Sequence, residues 1–262
     1  LLFIKSVCVC LPIGRGESIR LILADNGAKW TEDVIQLSDW FAGKCPLKKE
    51  AVFGQLPQFS DGDFVLYQSN AILRYLGRKF VTMVTGIENE SESLTQNSDN
   101  NKKKVLSLAY FILRHIRVAI TLAFSFQTQY SIAGSNNHEV AIIDMTNDGV
   151  EDLRLKYCRL MFSGFETVKE KYEKDLPNEL SAFERILSKN SNGTKFLVGD
   201  KISYADYNLL DVLHCHLNIF PDCLSAFPLL TAFKDRISSQ SNLSEYLNSE
   251  DCKNRPFFPK QG

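Results

Sequence analysis

Residues 53–74 combine the features that a site for a small acidic peptide requires. An Asp-Gly pair at 61–62 is a hairpin signal between two short apolar runs. Gln68 and Ser69 follow the second run, where they are suited to begin a helix. The first N–H groups of a helix have no partner inside it, so a helix that begins at Ser69 offers an anion site. A cis bond between Leu56 and Pro57 would turn the Leu56 backbone outward, where an extended peptide could pair with it.

Two pairs of metal-ligating residue types stand elsewhere in the chain. Cys8 and Cys10 are separated by one residue, but no second ligand pair follows at zinc spacing, which favours two ordinary buried thiols over a metal or redox pair. His214 and His216 are two residues apart on a predicted helix and therefore point to different sides. We expect satisfied or exposed histidines, and the sequence predicts no metal site.

The composition is that of a globular protein with one or two domains. The 262 residues are 44% hydrophobic and 23% charged, with a net charge of −1. This balance gives no reason to expect nucleic acid or an anionic membrane as a partner. The seven scattered cysteines are typical of reduced thiols in the cytosol rather than of a secreted disulfide framework. The chain begins with Leu1 rather than Met, and we expect a fragment or a trimmed product.

Residues 88–126 interrupt the globular pattern. The polar first half, 88–104, predicts disorder. The apolar second half, 105–126, is about as long as a membrane span, but Arg114, His115 and Arg117 lie at its centre. Such charges would each cost roughly 2.5–3.5 kcal/mol there, so we reject a transmembrane helix. An amphipathic interfacial helix has only a weak pattern here.

Several stretches resemble one protein family. Residues 54–57 (Gly-Gln-Leu-Pro), 66–70 (Leu-Tyr-Gln-Ser-Asn) and 72–74 (Ile-Leu-Arg) resemble the glutathione-binding half of a cytosolic glutathione transferase. The helical pattern of 139–157 narrows the resemblance to the Pi class. The resemblance implies the glutathione transferase fold, which has an α/β thioredoxin-like N-terminal domain and an all-α C-terminal domain.

The implied domains are 1–80 for glutathione binding, 81–129 for an atypical insert or linker, and 130–262 for the helical domain. Residues 1–13 do not resemble the family, and we expect the insert to be disordered or poorly packed. Val81 opens the insert, and Val codons begin with GT, as an intron does. Residues 124–127 are compatible with a pyrimidine tract and a splice acceptor. We hypothesise that 1–13 and 81–127 are translated intron.

The resemblance implies that reduced glutathione, as a co-substrate, is conjugated to a small apolar electrophile without a cofactor. A thiol has a pKa of about 8–9, and catalysis requires thiolate near pH 7. In the family, a Tyr at the end of the first strand donates a hydrogen bond to the thiolate, which lowers this pKa. Cys10 occupies that position, so the catalytic Tyr is missing. Arg15, at the start of the next helix, is expected to support the site.

The resemblance also implies the glutathione-binding residues. The Trp40 indole N–H and the Lys48 ammonium would hold the glycine carboxylate. Lys is suited to this role because its ammonium is a flexible point charge. The loop that carries them is two residues longer than the family pattern. On the residues alone, a surface Trp and a solvated Lys are favoured instead. The other glutathione contacts that the resemblance implies are Gln55, Leu56, Pro57, Gln68 and Ser69.

The resemblance implies roles for three further residues, at the dimer interface and in the electrophile pocket. Asp152 matches an acidic residue that reaches the glutathione of the partner subunit, although its residue type alone favours a solvated carboxylate beside Arg154 and Lys156. Phe162 stands where many Pi enzymes have a Tyr in the electrophile pocket, and Phe keeps the apolar wall but lacks a hydroxyl donor. Phe53 matches the aromatic residue that contacts the partner in the family's homodimers.

Ser203 and Asp206 have the spacing of a capping box in its acidic variant. In this family such a box begins the core helix of the second domain, so its role is folding rather than chemistry. Loss of the cap should cost about 0.5–2 kcal/mol.

Local patterns predict several other elements. A helix from residue 17 should end at Gly27, and a long amphipathic helix should cover 139–157. We expect a short strand over 34–37, and a helical pattern that breaks at Pro177 and again at 191–193.

Three functions remain open on the sequence. The first is a cytosolic glutathione transferase that detoxifies apolar electrophiles. The second is a glutathione-binding or interaction protein that lacks transferase activity because the catalytic Tyr is absent. The third is a thiol transferase in which Cys10 forms a mixed disulfide.

Overall fold

The computed structural model describes residues 3–10, 14–85 and 132–257 of the chain. The predictions made for 88–126 lie outside this part, as does most of the proposed insert. No helix among the described residues is long and apolar enough to cross a membrane.

Four strands and four helices make up the described part before residue 86. The strands are β1 Phe3–Cys10, β2 Lys29–Ile35, β3 Gln58–Asp61 and β4 Phe64–Tyr67. The helices are α1 Glu17–Asp25, α2 Leu37–Phe41, α3 Leu47–Glu50 and α4 Ser69–Thr85.

The described residues after 131 form six α-helices and one 3-10 turn, without a strand. The helices are α5 Asn137–Phe162, α6 Phe165–Lys189, α7 Tyr204–Ile219, α8 Pro228–Ser238, α9 Ser241–Asn248 and α10 Glu250–Lys253. The 3-10 turn is Ser191–Gly193, at the second of the two predicted breaks.

The strands form one mixed sheet in the order β2-β1-β3-β4. β1 is parallel to β2 and antiparallel to β3, while β3 and β4 form a hairpin. The turn contains Gly62 at φ +61°, a conformation that suits a residue without Cβ, and the hairpin prediction is confirmed. The segment that does not resemble the family forms β1, a central strand in which Val7 is fully buried opposite Phe59.

Helix α1 joins the two parts of the fold, because it contacts α4 on one side and α7 and α9 on the other. It ends at Asp25, and Gly27 follows at φ +62°, as the sequence predicts. Helix α4 begins at Ser69, also as predicted, but it continues to Thr85. The boundary predicted at residue 80 therefore falls inside a helix.

Two local predictions are wrong. The second strand is Lys29–Ile35 rather than 34–37, and Leu37 already begins α2. Pro177 does not break α6, which is continuous from Phe165 to Lys189. Leu176 and Leu180 on either side of the proline are buried against the core, and this packing offsets the hydrogen bond that the proline cannot donate.

The capping box at the start of α7 is confirmed. The Ser203 hydroxyl and backbone N–H donate to Asp206 Oδ2 at 2.6 Å and 2.7 Å. The Leu197 N–H donates to Asp206 Oδ1 at 2.8 Å. Asp206 is fully buried, and this burial raises its pKa to about 6 although the three donors oppose the rise.

We expect Ser203→Ala to lower the free energy of unfolding by about 0.5–2 kcal/mol. Asp206→Ala should cost more, because it leaves the Leu197 and Ser203 N–H groups unpaired at about 1–3 kcal/mol each. Urea unfolding measures both losses. Asp200→Ala is the matched control, since its carboxylate is largely exposed and surface pairs contribute about 0–1 kcal/mol. Equal losses for Asp200→Ala and Asp206→Ala would contradict the prediction.

His216 is a satisfied core histidine, one of the two outcomes that the sequence predicts for it. It has no exposed surface, and its Nδ1–H donates to the Val212 carbonyl at 2.7 Å. The Tyr172 hydroxyl lies 2.7 Å from Nε2 and donates to it in the neutral tautomer. Burial lowers the pKa of His216 to about 4.

The folded pKa of His216 lies below the unfolded value of about 6.5, so its contribution to stability is full above pH 6.5 and is lost as the pH falls toward 4. We expect the difference in unfolding free energy between wild type and His216→Gln to shrink by about 3 kcal/mol from pH 7 to pH 4. Buried Asp206 shifts stability with pH in the opposite sense, but it is present in both proteins.

Tyr172→Phe is the control for this titration. It keeps the ring that titrates and removes one hydrogen bond that only the neutral ring accepts, so the difference between Tyr172→Phe and wild type should change with pH by only about 0.5–1.5 kcal/mol. Urea unfolding from pH 7 to pH 4 gives both comparisons. A difference between wild type and His216→Gln that is constant over this range would show that His216 does not titrate in the fold.

Candidate functional site

A cavity of about 710 Å³ is lined by α2, α3, the loop 54–57 and the start of α4, and by helices α5 and α7. Nine of the sequence-predicted site residues line it. They are Arg15, Trp40, Lys48, Gln55, Leu56, Pro57, Gln68, Ser69 and Phe162. The structure therefore brings together residues that lie up to 147 positions apart in the chain (15 to 162).

The start of α4 lines the cavity. Ser69 is buried and is the first residue of the helix. The backbone N–H groups of the first turn have no acceptor within the helix, as at any helix start. Arg15 Nη1 lies 3.5 Å from Ser69 Oγ, and Gln68 adopts φ +70° and donates weakly to Gln55 at 3.4 Å. A helix start beside a guanidinium favours an anion.

The loop before β3 also lines the cavity. The bond between Leu56 and Pro57 is cis. Leu56 is half-buried and precedes β3, which begins at Gln58. The Leu56 backbone therefore lies at the cavity rather than inside a sheet ladder.

Trp40 and Lys48 also line the cavity. Lys48 Nζ donates to the Trp40 carbonyl at 2.9 Å and lies 5.4 Å from the centre of the Trp40 ring. It also lies 5.6 Å from the centre of the exposed Phe41 ring. Trp40 is buried, so the alternative of a surface Trp is wrong. Two aromatic rings and a carbonyl thus hold one ammonium at the cavity.

Arg15 connects this site to the helical part. Its Nη2 lies 2.5 Å from Glu151 Oε1 on α5, and both side chains are mostly buried. The sequence did not single out Glu151, which looks like any acidic residue on an amphipathic helix. Only the fold shows that Glu151 faces the cavity.

A chain of buried and half-buried polar side chains joins α4, α5 and α7 at the cavity. Asn147 Nδ2 donates to Asn70 Oδ1 at 3.2 Å, and Asn208 Nδ2 donates to Asn147 Oδ1 at 2.9 Å. Arg154 Nη2 then donates to Asn208 Oδ1 and to Asp211 Oδ2, both at 2.7 Å. We call these five residues the polar seam.

The assignment of Arg154 to a solvated face is wrong. Arg154 is 4% exposed and Asp211 is fully buried, so the charges depend on each other. Burial raises the pKa of Asp211 to about 6, although the Arg154 guanidinium opposes this rise. Asp152 is exposed, as its residue type alone favours, and it does not line the cavity within this chain.

The apolar wall of the cavity contains residues that sequence reasoning missed. Tyr157, Cys158 and Cys215 line it together with Phe162, which is half-exposed. A signal was available, because Arg154, Cys158 and Phe162 follow one another at four-residue spacing on one helix face. Cys10, which the resemblance assigns to the position of the family Tyr, is the last residue of β1 and pairs with Ile35.

Comparison with known proteins identifies the family. The glutathione S-transferase N-terminal domain matches residues 13–78, and the glutathione S-transferase C-terminal domain matches residues 151–250. Glutathione S-transferase P 1 of Xenopus laevis is 49% identical over 247 residues, which cover 94% of this chain and 93% of that protein. The chain belongs to the glutathione S-transferase family, Pi class.

Other relatives agree with this assignment. Glutathione S-transferase P of Homo sapiens is 38% identical to this Pi-class chain over 249 residues, which cover 95% of this chain and 94% of that protein. The Pi-class glutathione S-transferase structure of Onchocerca volvulus matches with a TM-score of 0.72 and 33% identity, and covers 96% of each chain. The predicted fold class, a thioredoxin-like domain plus a helical domain, is confirmed, and the activity of the family is glutathione conjugation.

We expect Arg154→Met to lower the free energy of unfolding by about 3–5 kcal/mol, because it leaves Asp211 as an unpaired buried carboxylate. Lys156→Met, two residues further on α5, is the control, since its ion pair with Glu179 is partly exposed and should contribute about 0–1 kcal/mol. The double variant Arg154→Met/Asp211→Leu should recover much of the loss. Urea unfolding would contradict the account if Arg154→Met and Lys156→Met were equally stable.

Proposed function

We propose that glutathione lies along the cavity with its two carboxylates at opposite ends. The start of α4 at Ser69, supported by Arg15 and Gln68, receives one carboxylate. Lys48 and Trp40 receive the glycine carboxylate at the other end. The Leu56 backbone pairs with the peptide between them, beside Gln55 and Pro57. The observation that carries this proposal is that the helix start at Ser69, the Leu56 loop, and Lys48 with Trp40 all line one cavity.

We propose that the bound thiol attacks an apolar electrophile against the wall formed by Phe162. Phe162 is the exposed aromatic residue of that wall, and α5 presents it to the cavity. A Phe offers apolar contact without a hydroxyl donor. Electrophiles that lack a polar group near the reacting carbon should therefore be the better substrates.

We propose that the glutathione thiol ionises here without the hydrogen bond that a Tyr hydroxyl at the end of β1 donates in the family. The family resemblance assigns Cys10 to that position, and a Cys S–H is a weak donor. Arg15 is one of the cationic residues that line the cavity, and a positive charge lowers a thiol pKa. We propose that Arg15 supports the thiolate and that turnover is slow at neutral pH.

We propose a homodimer in the cytosol. Phe53 and Val52 are exposed beside the cavity loop, and Met145 and Ile142 are exposed on α5. Large apolar side chains that are exposed on one protein are typical of a subunit interface. Asp152 is exposed on α5, where it is free to reach the glutathione of the partner subunit.

The proposal is tested by retention on immobilised glutathione together with conjugation of 1-chloro-2,4-dinitrobenzene. We expect both retention and turnover. Retention without turnover would support the glutathione-binding alternative, and failure of retention would contradict the proposed site. Reduction of mixed disulfides that is lost in Cys10→Ser would support the thiol transferase instead.

Lys48→Ala should raise the KM for glutathione about tenfold, because it removes a charge-assisted hydrogen bond worth roughly 1.5–3 kcal/mol. Lys49→Ala is the matched control, since Lys49 is exposed and does not line the cavity. Steady-state kinetics with varied glutathione measures both. Equal KM values for the two variants would remove Lys48 from the proposed site.

A further inference from the structure

Two cysteines on different helices line the same cavity. Cys158 lies on α5 and Cys215 on α7, and both thiols are free. Cys158 is half-buried, whereas Cys215 is 2% exposed. Neither cysteine is one of the proposed glutathione contacts.

The register of α5 against α7 brings these cysteines to the same level of the helix pair. Arg154 contacts Asp211 at 2.7 Å, and the Tyr157 and His216 ring centres are 5.2 Å apart. The two helices therefore run in the same direction at this contact. Cys158 is one turn beyond Arg154, and Cys215 is one turn beyond Asp211, so the thiols fall in the next layer of the same helix pair.

The charges near the thiols support this proximity. The presence of Cys158 contributes to the raised pKa of Cys215, which also donates to Asp211 Oδ1 at 3.8 Å. Burial raises the pKa of Cys158, while Arg15 and Arg154 oppose the rise. Both groups are therefore protonated thiols at neutral pH, and protonated thiols are poor single nucleophiles. A reagent that gains by bonding two thiols at once suits them better.

We propose that Cys158 and Cys215 form a dithiol site for trivalent organic arsenicals. An arsenoxide, R–As=O, reacts with the two S–H groups to give R–As(S–Cys)2 and one water. The As–O bond is replaced by two As–S bonds, both thiol protons leave in the water, and arsenic remains trivalent. Two thiols are the ligand set that this wall offers.

The cavity also accommodates the organic group. Phe162 lies four residues after Cys158 on the same face of α5 and lines the cavity. An aryl substituent on arsenic can therefore pack on the Phe162 ring. The site does not depend on the proposed glutathione position, because neither cysteine is assigned to the peptide.

The test uses the full chain and phenylarsine oxide, followed by intact-mass spectrometry. We expect one phenylarsenic group per chain that survives excess glutathione, a monothiol, and is removed by 2,3-dimercaptopropanol. Cys158→Ser and Cys215→Ala should each weaken binding by about a hundredfold, because the second As–S bond forms within one molecule. Cys223→Ser should bind as wild type does, since Cys223 is half-buried but does not line the cavity.

A second readout, alkylation of the wild-type chain, does not depend on how the variants fold. Phenylarsine oxide should protect Cys158 and Cys215 of the wild-type chain from alkylation and leave Cys223 and Cys252 unprotected. The variant Cys8→Ser/Cys10→Ser should retain the adduct. Loss of the adduct in that variant, or protection of cysteines other than Cys158 and Cys215, would overturn the proposal.

Discussion

The polar seam is the constraint on which the arrangement of the helices depends. Arg154 and Asp211 are buried and charged, and each would be strongly destabilising without the other. Their pairing at 2.7 Å fixes α5 against α7 in one register. Asn147 and Asn208 extend the same requirement along both helices, since buried amide groups also need partners. An alternative register would leave several of these groups unpaired at once.

The same seam determines where the cavity lies. Asn70 follows Ser69 in the first turn of α4, and its bond to Asn147 ties that helix start to α5. Arg15 makes a parallel link to Glu151. The anion site on the sheet side and the apolar wall with Phe162 are therefore held at a fixed separation. Glutathione and its electrophile need such a separation, because reacting atoms must be brought together in a defined geometry.

The sequence predicted the features that depend on residues close together in the chain, and it failed where contacts with distant residues decide the structure. The hairpin at Gly62, the helix start at Ser69 and the capping box at Ser203 depend on neighbouring residues, and all three are found. Pro177 was expected to break a helix because its local effect is unfavourable. The packing of Leu176 and Leu180 against distant helices decides otherwise.

The polar lining of the cavity was beyond local reasoning for a related cause. Arg154 is typical of a solvated helix face by residue type, and only its partners on α7, more than fifty residues away, make its burial possible. Glu151 was missed for the same reason. The family resemblance supplied Trp40 and Lys48, which the residue types alone did not favour. It did not supply Cys158 and Cys215, for which only the register of α5 against α7 gives a reason to consider them together.

The central claim is that the cavity at the polar seam holds glutathione between two anion sites. A crystal structure of the chain with bound glutathione tests it most directly. We predict one carboxylate at Ser69 and the start of α4, the other at Lys48, and the peptide backbone paired with Leu56. Electron density for glutathione away from this cavity, or with neither carboxylate at these two positions, would contradict the account.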